Sequence, residues 1–484
     1  MSESIKLLKP QHVWEYFYDI CQIPRPSKKE EKIIAYLLEF GKKHNLETRK
    51  DEIGNVLIKK SASQGFENYP TVVLQSHMDM VCEKNNDVEH DFEKDPIRTY
   101  IEDGWVKAMG TTLGADDGIG VATQLAILAA DDIEHGPLEC LFTMDEESGL
   151  SGAFGLKPDM LKGEILLNLD SEDEGELFIG CAGGLDTNVF FDLDWEDAPD
   201  DSTWYKLDIS GLQGGHSGDD IHKGFGNANK ILNRILYRGA EKFGLRIALF
   251  DGGNLRNAIA REAFAEVCIP KASEAGFKTM FDQMAEEIKI ELHSTEPNLN
   301  FDLNVIEPSS KIWSLALQNR VLNAIYACPH GVIAWSQDIP NFVETSTNLA
   351  AVKTLEDKIS ITTSQRSSSE SEMKDVVAMV ASVFKLAGAN IEHSVGYPGW
   401  KPNPNSKIMA ITSLSYERLF DKKPKVLAVH AGLECGLIGK TYPKMDMISY
   451  GPTIKGAHSP DERIEIKTVQ MFWNLTLDIL KSVK

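Results

Sequence analysis

A histidine and an aspartate close one short apolar stretch of the sequence. Residues 72–74 are Val-Val-Leu, and the polar residues that follow include His77 and Asp79. Because strand side chains alternate between two faces, these two point to the same side if the strand extends that far. A metal-bound histidine usually donates its other ring nitrogen to a carboxylate, so the pair predicts a ligand and the group that orients it. An ordinary polar strand end is an equally simple interpretation of the pair alone.

Further acidic residues and a second histidine occupy similar positions along the chain. Each follows a predicted strand or lies near a glycine-rich turn: Asp116, Glu146, Glu147, Asp170 and His458. Taken singly, an Asp pair usually caps a turn, a Glu pair usually starts a helix, and a lone histidine is usually structural. Together, imidazole and carboxylate ligands without thiolate suit zinc, with manganese or cobalt as substitutes. Two ions fit if one carboxylate bridges them, and such a pair polarises a carbonyl.

The two adjacent glutamates are predicted to have different roles, one as a metal ligand and one as a general base. Neighbouring side chains diverge, so Glu147 can bind a metal while Glu146 reaches a water molecule. A carboxylate beside a metal is the general base that amide hydrolysis needs.

The 484 residues of the chain are too many for one compact core, so two domains are expected. Strands and helices alternate over residues 1–186, the pattern changes over 187–396, and residues 397–484 rejoin the first domain. The predicted fold is an α/β catalytic domain with a mixed, largely parallel sheet flanked by helices, and an inserted α+β lid domain. The order of elements recurs within 187–396, which raises the expectation of two tandem sheet-and-helix halves.

Two local predictions concern the first domain. Residues 28–45 form a predicted amphipathic helix that Ser27 caps. The charged stretch 81–113 is a predicted surface loop with a short hairpin near Trp105.

Composition excludes several classes of partner. Acidic residues outnumber basic ones, 73 against 50, and the formal charge is −23. This balance argues against nucleic acid and anionic membranes as partners. No apolar run approaches the ~20 residues that span a bilayer. The seven scattered cysteines form no C-x-x-C motif, and the amino terminus lacks a signal-peptide pattern, so we expect a cytoplasmic protein with reduced thiols.

The order of these motifs resembles the di-zinc dipeptidase/carboxypeptidase superfamily. The resemblance is carried by His77-x-Asp79, by residues 114–118 (Gly-Ala-Asp-Asp-Gly), by 145–149 (Asp-Glu-Glu-Ser-Gly), and by Asp170 and His458. It is closest to the aminoacyl-histidine dipeptidases and extends from residues 23–27 to 456–460. It implies metal-dependent hydrolysis of dipeptides with free amino and carboxyl ends, favouring Xaa-His such as β-alanyl-histidine.

The resemblance also implies a role for each motif residue. It assigns His77 and Asp170 to one zinc, Glu147 and His458 to the other, Asp116 to both, Asp79 to the orientation of His77, and Glu146 to general base catalysis. Two Zn²⁺ per subunit are therefore expected, with Mn²⁺ or Co²⁺ as substitutes. A cis peptide bond between Asp116 and Asp117 is implied as well.

The lid supplies further candidates by the same resemblance. His216, in the glycine-rich segment 214–218, matches a residue that stabilises the oxyanion of the tetrahedral intermediate. Asn257 and Arg366 match substrate contacts, and a guanidinium suits the free carboxylate of a dipeptide. Gly432 and Glu434 are candidates for the amine end, although Glu434 in a glycine-rich turn also suits the cap of the next helix.

Other functions stay open at this point. An aminotripeptidase or an N-acyl amino acid deacylase of the same superfamily would use the same motifs, and a non-catalytic metal-binding assembly protein belongs to a different class. The lid is compatible with a monomer, in which one lid half replaces a partner subunit, or with a homodimer.

Overall fold

The computed structural model describes residues 2–484, which fold into two compact units. The first unit comprises the chain up to Cys181, Trp400–Ala428 and Leu433–Lys484, and the second comprises Ala182–Gly399 and Val429–Gly432. The second unit therefore extends beyond the predicted range 187–396 at both ends and gains a short separate segment. The cause lies in backbone pairing, because the Ala182 N–H donates to the Val429 carbonyl at 3.0 Å and the Gly184 N–H donates to the Tyr397 carbonyl at 3.0 Å.

The helices account for most of the layer that covers the sheets. They are α1 (Gln11–Cys21), α2 (Glu31–Lys43), α3 (Ala115–Ala129), α4 (Glu146–Gly149), α5 (Ser151–Gly155), α6 (Ala228–Phe243), α7 (Glu274–Glu291), α8 (Leu315–Ala327), α9 (Glu370–Leu386), α10 (Lys407–Phe420), α11 (Glu434–Thr441) and α12 (Ile466–Ser482), with 3₁₀ turns at Ser2–Leu7 and Lys271–Ser273. The prediction that Ser27 caps α2 is wrong, because that helix begins at Glu31 and the Ser27 hydroxyl donates to Asp79 instead.

The strands alternate with these helices along the chain. They are β1 (Glu47–Lys50), β2 (Val56–Lys60), β3 (Val72–His77), β4 (Thr99–Glu102), β5 (Trp105–Ala108), β6 (Leu138–Thr143), β7 (Ile165–Asn168), β8 (Glu176–Cys181), β9 (Gly183–Asp192), β10 (Trp195–Asp197), β11 (Ser202–Ser210), β12 (Arg246–Gly252), β13 (Ala263–Pro270), β14 (Asn300–Val305), β15 (Lys311–Trp313), β16 (Gly331–Trp335), β17 (Val343–Thr354), β18 (Lys358–Ser367), β19 (Asn390–His393), β20 (Lys425–Val429), β21 (Asp446–Ser449), β22 (Ile454–Lys455) and β23 (Arg463–Glu465).

An eight-stranded mixed sheet organises the first unit, as predicted. Its order is β1-β2-β6-β3-β7-β21-β8-β20, and the central strands β6, β3, β7 and β21 are parallel. Every residue of β3 and β6 is buried. Burial on both faces explains why these strands are apolar without strict alternation. The carboxyl ends of β3, β6 and β7 meet at one edge, and the loops that follow them carry the candidate site residues.

Helix α3 brings a further segment to the first unit's core. Almost all of its residues are buried, because the helix is apolar on every side. It packs against α1 and β3, and Asp116 lies at its beginning. The predicted hairpin near Trp105 is confirmed as β4 and β5, and β5 also pairs with β23 in a four-stranded sheet.

The second unit contains two halves that are nested, not tandem as predicted. Strands β11 to β14, with α6 and α7, form one half in the spatial order β14-β11-β13-β12. Strands β9, β17, β18 and β19, with α8 and α9, form the other half in the equivalent order β19-β9-β18-β17. The first half is inserted after β9, the opening strand of the second. Strands β12 and β17 pair and join both halves into one sheet.

Within the described residues, no helix combines the length and apolar character needed to cross a membrane.

Candidate active site

Two histidines face opposite oxygens of one aspartate in the first unit. The Nε2 of His77, at the end of β3, lies 2.9 Å from Oδ1 of Asp116. The Nε2 of His458 lies 3.1 Å from Oδ2 of the same carboxylate. Asp116 therefore stands between the histidines, with one oxygen directed to each.

Each histidine has a second carboxylate of its own. Asp170, in the loop after β7, places Oδ1 3.4 Å from the His77 Nε2. Glu147, in α4 after β6, places Oε2 3.0 Å from the His458 Nε2. Two triplets result, His77/Asp116/Asp170 and Asp116/Glu147/His458, and the potential ligand atoms within each triplet lie no more than 4.8 Å apart.

The donor set fits two divalent metal ions. Nitrogen and oxygen donors converge without thiolates, which suits zinc. The buried Oε1 of Glu147 has no hydrogen-bond partner in the described part of the chain, as expected of an atom that faces a ligand. The structure thus brings together the five predicted metal ligands. The peptide bond between Asp116 and Asp117 is cis, as the resemblance implies.

Carboxylates outnumber histidines in this cluster, and their charges shift the pKa of the imidazoles. Burial lowers the pKa of His77, but Asp170, Asp116 and Asp79 outweigh burial and raise it well above its ordinary value. Hydrogen bonds to Asp116 and Glu147 raise the pKa of His458 to about 11. Without metal, both imidazoles therefore hold a proton and supply positive charge to the cluster. Burial nevertheless raises the pKa of Asp170 to about 7, even with His77 beside it.

Asp79 holds both His77 and the α4 loop. Its Oδ1 lies 3.3 Å from the His77 Nδ1 and accepts the Glu146 N–H at 3.0 Å. Its Oδ2 accepts the Ser27 hydroxyl at 2.7 Å and the Glu147 N–H at 3.3 Å. Sequence reasoning identified the contact with His77 and missed Ser27, whose position before a predicted helix indicated a cap.

Glu146 lies beside the two triplets. A carboxylate oxygen of Glu146 falls within 4.8 Å of potential ligand atoms of His77 and Glu147. Burial, with Asp170, Glu147 and Glu434 nearby, raises the pKa of Glu146 well above its ordinary value, although His77 opposes this. A carboxyl group with a raised pKa is suited to accept and return a proton near neutral pH.

A second polar cluster lies in the second unit around Arg366. This side chain, in β18, is only 5% exposed. Its Nε donates to the Ser217 hydroxyl at 3.3 Å, its Nη1 donates to the Tyr397 hydroxyl at 3.2 Å, and its Nη2 lies 3.4 Å from the His216 Nε2. The Asp219 carboxylate belongs to the same cluster, with its Oδ2 3.2 Å from the His216 Nδ1. The direct hydrogen-bond partners of the guanidinium are hydroxyl and imidazole groups, which leaves it able to pair with an anion.

His216 and Asn257 belong to the same neighbourhood. The His216 Nδ1 lies 3.3 Å from the Gly218 N–H nitrogen, 3.2 Å from the Asp219 N–H nitrogen and 3.2 Å from Oδ2 of Asp219. The Asn257 carbonyl accepts the Ser217 N–H at 2.8 Å, and the Asn257 side chain is exposed. The structure therefore brings His216, Asn257 and Arg366 together.

Gly432 and Glu434 belong to different units. A Cβ on Gly432 would lie 2.8 Å from the Tyr397 ring, so only glycine fits there without movement. Glu434 is fully buried in the first unit, where its Oε2 accepts from Gln75 and Thr143, each at 2.6 Å. Its Oε1 has no partner within the described residues, and burial raises its pKa to about 8. Glu434 is the first residue of α11, and Leu433 occupies the cap position.

Comparisons with known proteins give matches that cover most or all of the chain. The model of peptidase family M20/M25/M40 matches residues 73–481. The cytosol non-specific dipeptidase of Escherichia coli (strain K12) is 46% identical over 483 residues, which cover 100% of this chain and 99% of that protein. The crystal structure of aminoacylhistidine dipeptidase from Vibrio alginolyticus is 46% identical and has a TM-score of 0.93, with 100% of this chain and 99% of that chain covered.

A more distant solved structure shows the fold alone. The aminopeptidase PepT from Bacillus cereus is 18% identical, with a TM-score of 0.63 over 99% of this chain and 99% of that chain.

Proposed function

The chain belongs to peptidase family M20/M25/M40, and we propose that it hydrolyses dipeptides with free amino and carboxyl ends. Similarity over the full length to a cytosol non-specific dipeptidase and to an aminoacylhistidine dipeptidase supports this substrate class. Xaa-His dipeptides such as β-alanyl-histidine are the proposed preferred substrates, and the cytosol is the proposed location.

The proposed cofactor is a pair of Zn²⁺ ions, with Mn²⁺ or Co²⁺ as substitutes. The observation that carries this proposal is the pair of triplets that share Asp116. His77 and Asp170 would hold one ion, Glu147 and His458 the other, and Asp116 both. Bound ions of this kind polarise a carbonyl and lower the pKa of water.

The chain's own residues move the proton. Glu146 is the proposed general base, which takes a proton from the attacking water at a carboxylate oxygen and delivers it to the leaving amine. Asp79 keeps this base in place, because it accepts the Glu146 N–H and also faces His77. Rigid placement of the base relative to the first histidine reduces the reorganisation needed during the reaction.

The second unit is proposed to recognise the ends of the substrate. Arg366 would pair with the free carboxylate, because its buried guanidinium has hydroxyl and imidazole groups as hydrogen-bond partners. The His216 imidazole would donate to the oxyanion of the tetrahedral intermediate, a contact worth ~3–4 kcal/mol in the transition state. The exposed Asn257 is a proposed backbone contact of the dipeptide. Gly432 would leave room beside Tyr397, and the buried Glu434, whose Oε1 has no partner within the described residues, would accept a hydrogen bond from the ammonium end.

A substrate panel tests this function. Carnosine, an N-acetyl amino acid and a tripeptide are offered to protein loaded with Zn²⁺ or Mn²⁺, and released amino acids are measured. We expect hydrolysis of carnosine and of other dipeptides well above the other two compounds. Preferred hydrolysis of the tripeptide or the N-acetyl compound would contradict the proposal in favour of an aminotripeptidase or a deacylase. No hydrolysis of any compound by metal-loaded protein would indicate a non-catalytic metal-binding protein.

A further inference from the structure

Glu462, which no proposed step uses, binds the backbone of the turn that carries Asp116. Its Oε2 accepts the N–H groups of Leu113 at 2.7 Å and Gly114 at 2.9 Å. Its Oε1 accepts those of Ala115 at 2.7 Å and Asp116 at 3.4 Å. The side chain is only 2% exposed. Four consecutive backbone donors on one buried carboxyl side chain restrict the path of the turn, because another path would break several buried hydrogen bonds at once.

The same carboxyl-terminal segment also supplies His458. The Glu462 N–H donates to the Ser459 carbonyl at 3.0 Å, so a tight turn connects the carboxylate to the histidine. The His458 ring meets the side chain of Asp116 while Glu462 meets its backbone. Side chain and backbone of Asp116 are thus held from one short segment.

Arg25 donates to a backbone carbonyl of the same turn, whereas Glu462 accepts from its N–H groups. Its Nη2 donates to the Gly114 carbonyl, and its Nη1 donates to the carbonyls of Asp79 at 2.6 Å and Met78 at 3.2 Å. The guanidinium therefore links the Asp116 turn to the segment that follows His77. A Cβ on Gly114 would lie 2.5 Å from Nη2, so the close approach depends on glycine there.

We propose that Glu462 and Arg25 are positioning residues, which hold the Asp116 turn from its N–H side and its carbonyl side. Glu462 fixes the turn to the His458 segment, and Arg25 fixes it to the His77 segment. Both oxygens of Asp116 then stay directed at the two histidines before any ion binds. The inference rests on the proposed two-metal site, and it adds two residues that touch neither metal nor substrate.

The substitutions E462Q and R25K test this role. Glutamine preserves size but turns an NH₂ group toward backbone donors, and lysine preserves charge but cannot reach both segments with a planar fork. We expect each to weaken Zn²⁺ binding by about 10- to 100-fold and to lower kcat by a similar factor, as other residues that hold metal ligands do. KM for carnosine should stay within about twofold, because neither side chain meets the proposed substrate contacts.

A matched control is available in the same unit. Glu139 is also buried and accepts two backbone N–H groups, from Lys162 at 2.8 Å and Gly163 at 3.0 Å, but it has no contact with the ligand turns. E139Q should therefore leave Zn²⁺ affinity at the wild-type value. Thermal unfolding without metal, measured for all three variants, separates loss of affinity from loss of folding.

Chelator competition for Zn²⁺ and the visible spectrum of Co²⁺-loaded protein give the readouts. Weaker binding and an altered Co²⁺ spectrum in folded E462Q and R25K, but not in E139Q, support the inference. If a folded E462Q or R25K variant has the same Zn²⁺ affinity and Co²⁺ spectrum as E139Q, the inference is overturned. One folded variant of the two is enough for this test. The number of Zn²⁺ ions bound by the wild-type protein tests the proposed function separately. Fewer than two ions per wild-type chain would contradict the two-metal site, whatever the affinity of E462Q.

Discussion

The two polar clusters of this protein are built around side chains of opposite charge. In the first unit, His77 and His458 stand among an excess of buried carboxylates. In the second unit, the buried guanidinium of Arg366 has hydroxyl and imidazole groups as hydrogen-bond partners, while the Asp219 carboxylate pairs with His216. The first cluster consists mainly of carboxylates, whereas a guanidinium lies at the centre of the second.

This difference indicates what each cluster binds. A buried charge without a partner costs free energy, so a partner from outside the chain stabilises it. Metal ions would supply positive charge to the first cluster. In the proposed function, a free carboxylate of the substrate would pair with the guanidinium of the second, and an endopeptidase substrate would offer none at that place. The contrast therefore fits the proposed dipeptidase activity, because the substrate of a dipeptidase carries a free carboxylate.

The largest expected effect comes from Glu146, which lies in the first cluster without joining either of the triplets that share Asp116. E146Q should lower kcat for carnosine by about 10²- to 10⁴-fold, the usual contribution of a general base. Zn²⁺ stoichiometry should stay at two, because the five proposed ligands are intact. Steady-state kinetics and metal analysis check both points, and turnover near the wild-type rate would rule out Glu146 as the base.

Removal of metal should destabilise the protein through the first cluster. At free Zn²⁺ 1,000-fold above its dissociation constant, each bound ion adds about 4 kcal/mol to the free energy of unfolding. Protein treated with a chelator should therefore unfold at a lower temperature, and added Zn²⁺ should restore the difference in calorimetry. Equal unfolding temperatures with and without Zn²⁺ would mean that the excess carboxylates need no cation.

Loss of the guanidinium tests the second cluster. R366M should lower kcat/KM for a free dipeptide by about 10- to 100-fold, since hydrogen bonds to charged groups contribute about 1.5–3 kcal/mol. The matching dipeptide amide, which lacks the carboxylate, should be hydrolysed equally by both proteins. A parallel loss on both substrates would show that Arg366 supports the fold of the second unit instead of binding the carboxylate.

The smallest expected effect comes from removing the hydrogen bond between Tyr397 and the Arg366 guanidinium. Y397F removes one neutral hydrogen bond to Arg366, at 3.2 Å, and keeps the ring beside Gly432. We expect kcat/KM for the free dipeptide to fall by about 2- to 10-fold, with Zn²⁺ affinity unchanged. A change in Zn²⁺ affinity in Y397F would contradict the separate roles of the two clusters.

Much of the candidate site could be predicted because its members share a local signature. Parallel strands end at a common edge, so polar residues directly after apolar runs, such as His77 and Glu147, are expected to meet. The fold class of both units follows from the alternation of helices and strands in the same way.

The residues that escaped prediction make long-range contacts without a local signature. Ser27 precedes a helix and resembles a cap, yet it donates to Asp79. Arg25 lies between two prolines in a loop, and Glu462 follows the last predicted ligand without a motif of its own. The partners of Arg25 and Glu462 are backbone groups remote in sequence, and a backbone group offers no residue type to identify.

The sequence by itself determined which side chains could bind metal, because their chemistry and their positions after strands are written locally. Only the tertiary structure decided that Asp116 offers one oxygen to each histidine, that Gly432 and Glu434 belong to different units, and that one half of the second unit is inserted into the other. These features depend on strand order and on where the chain crosses between units. Side-chain alternation and turn chemistry act over a few residues, whereas strand order is decided by packing across the whole chain.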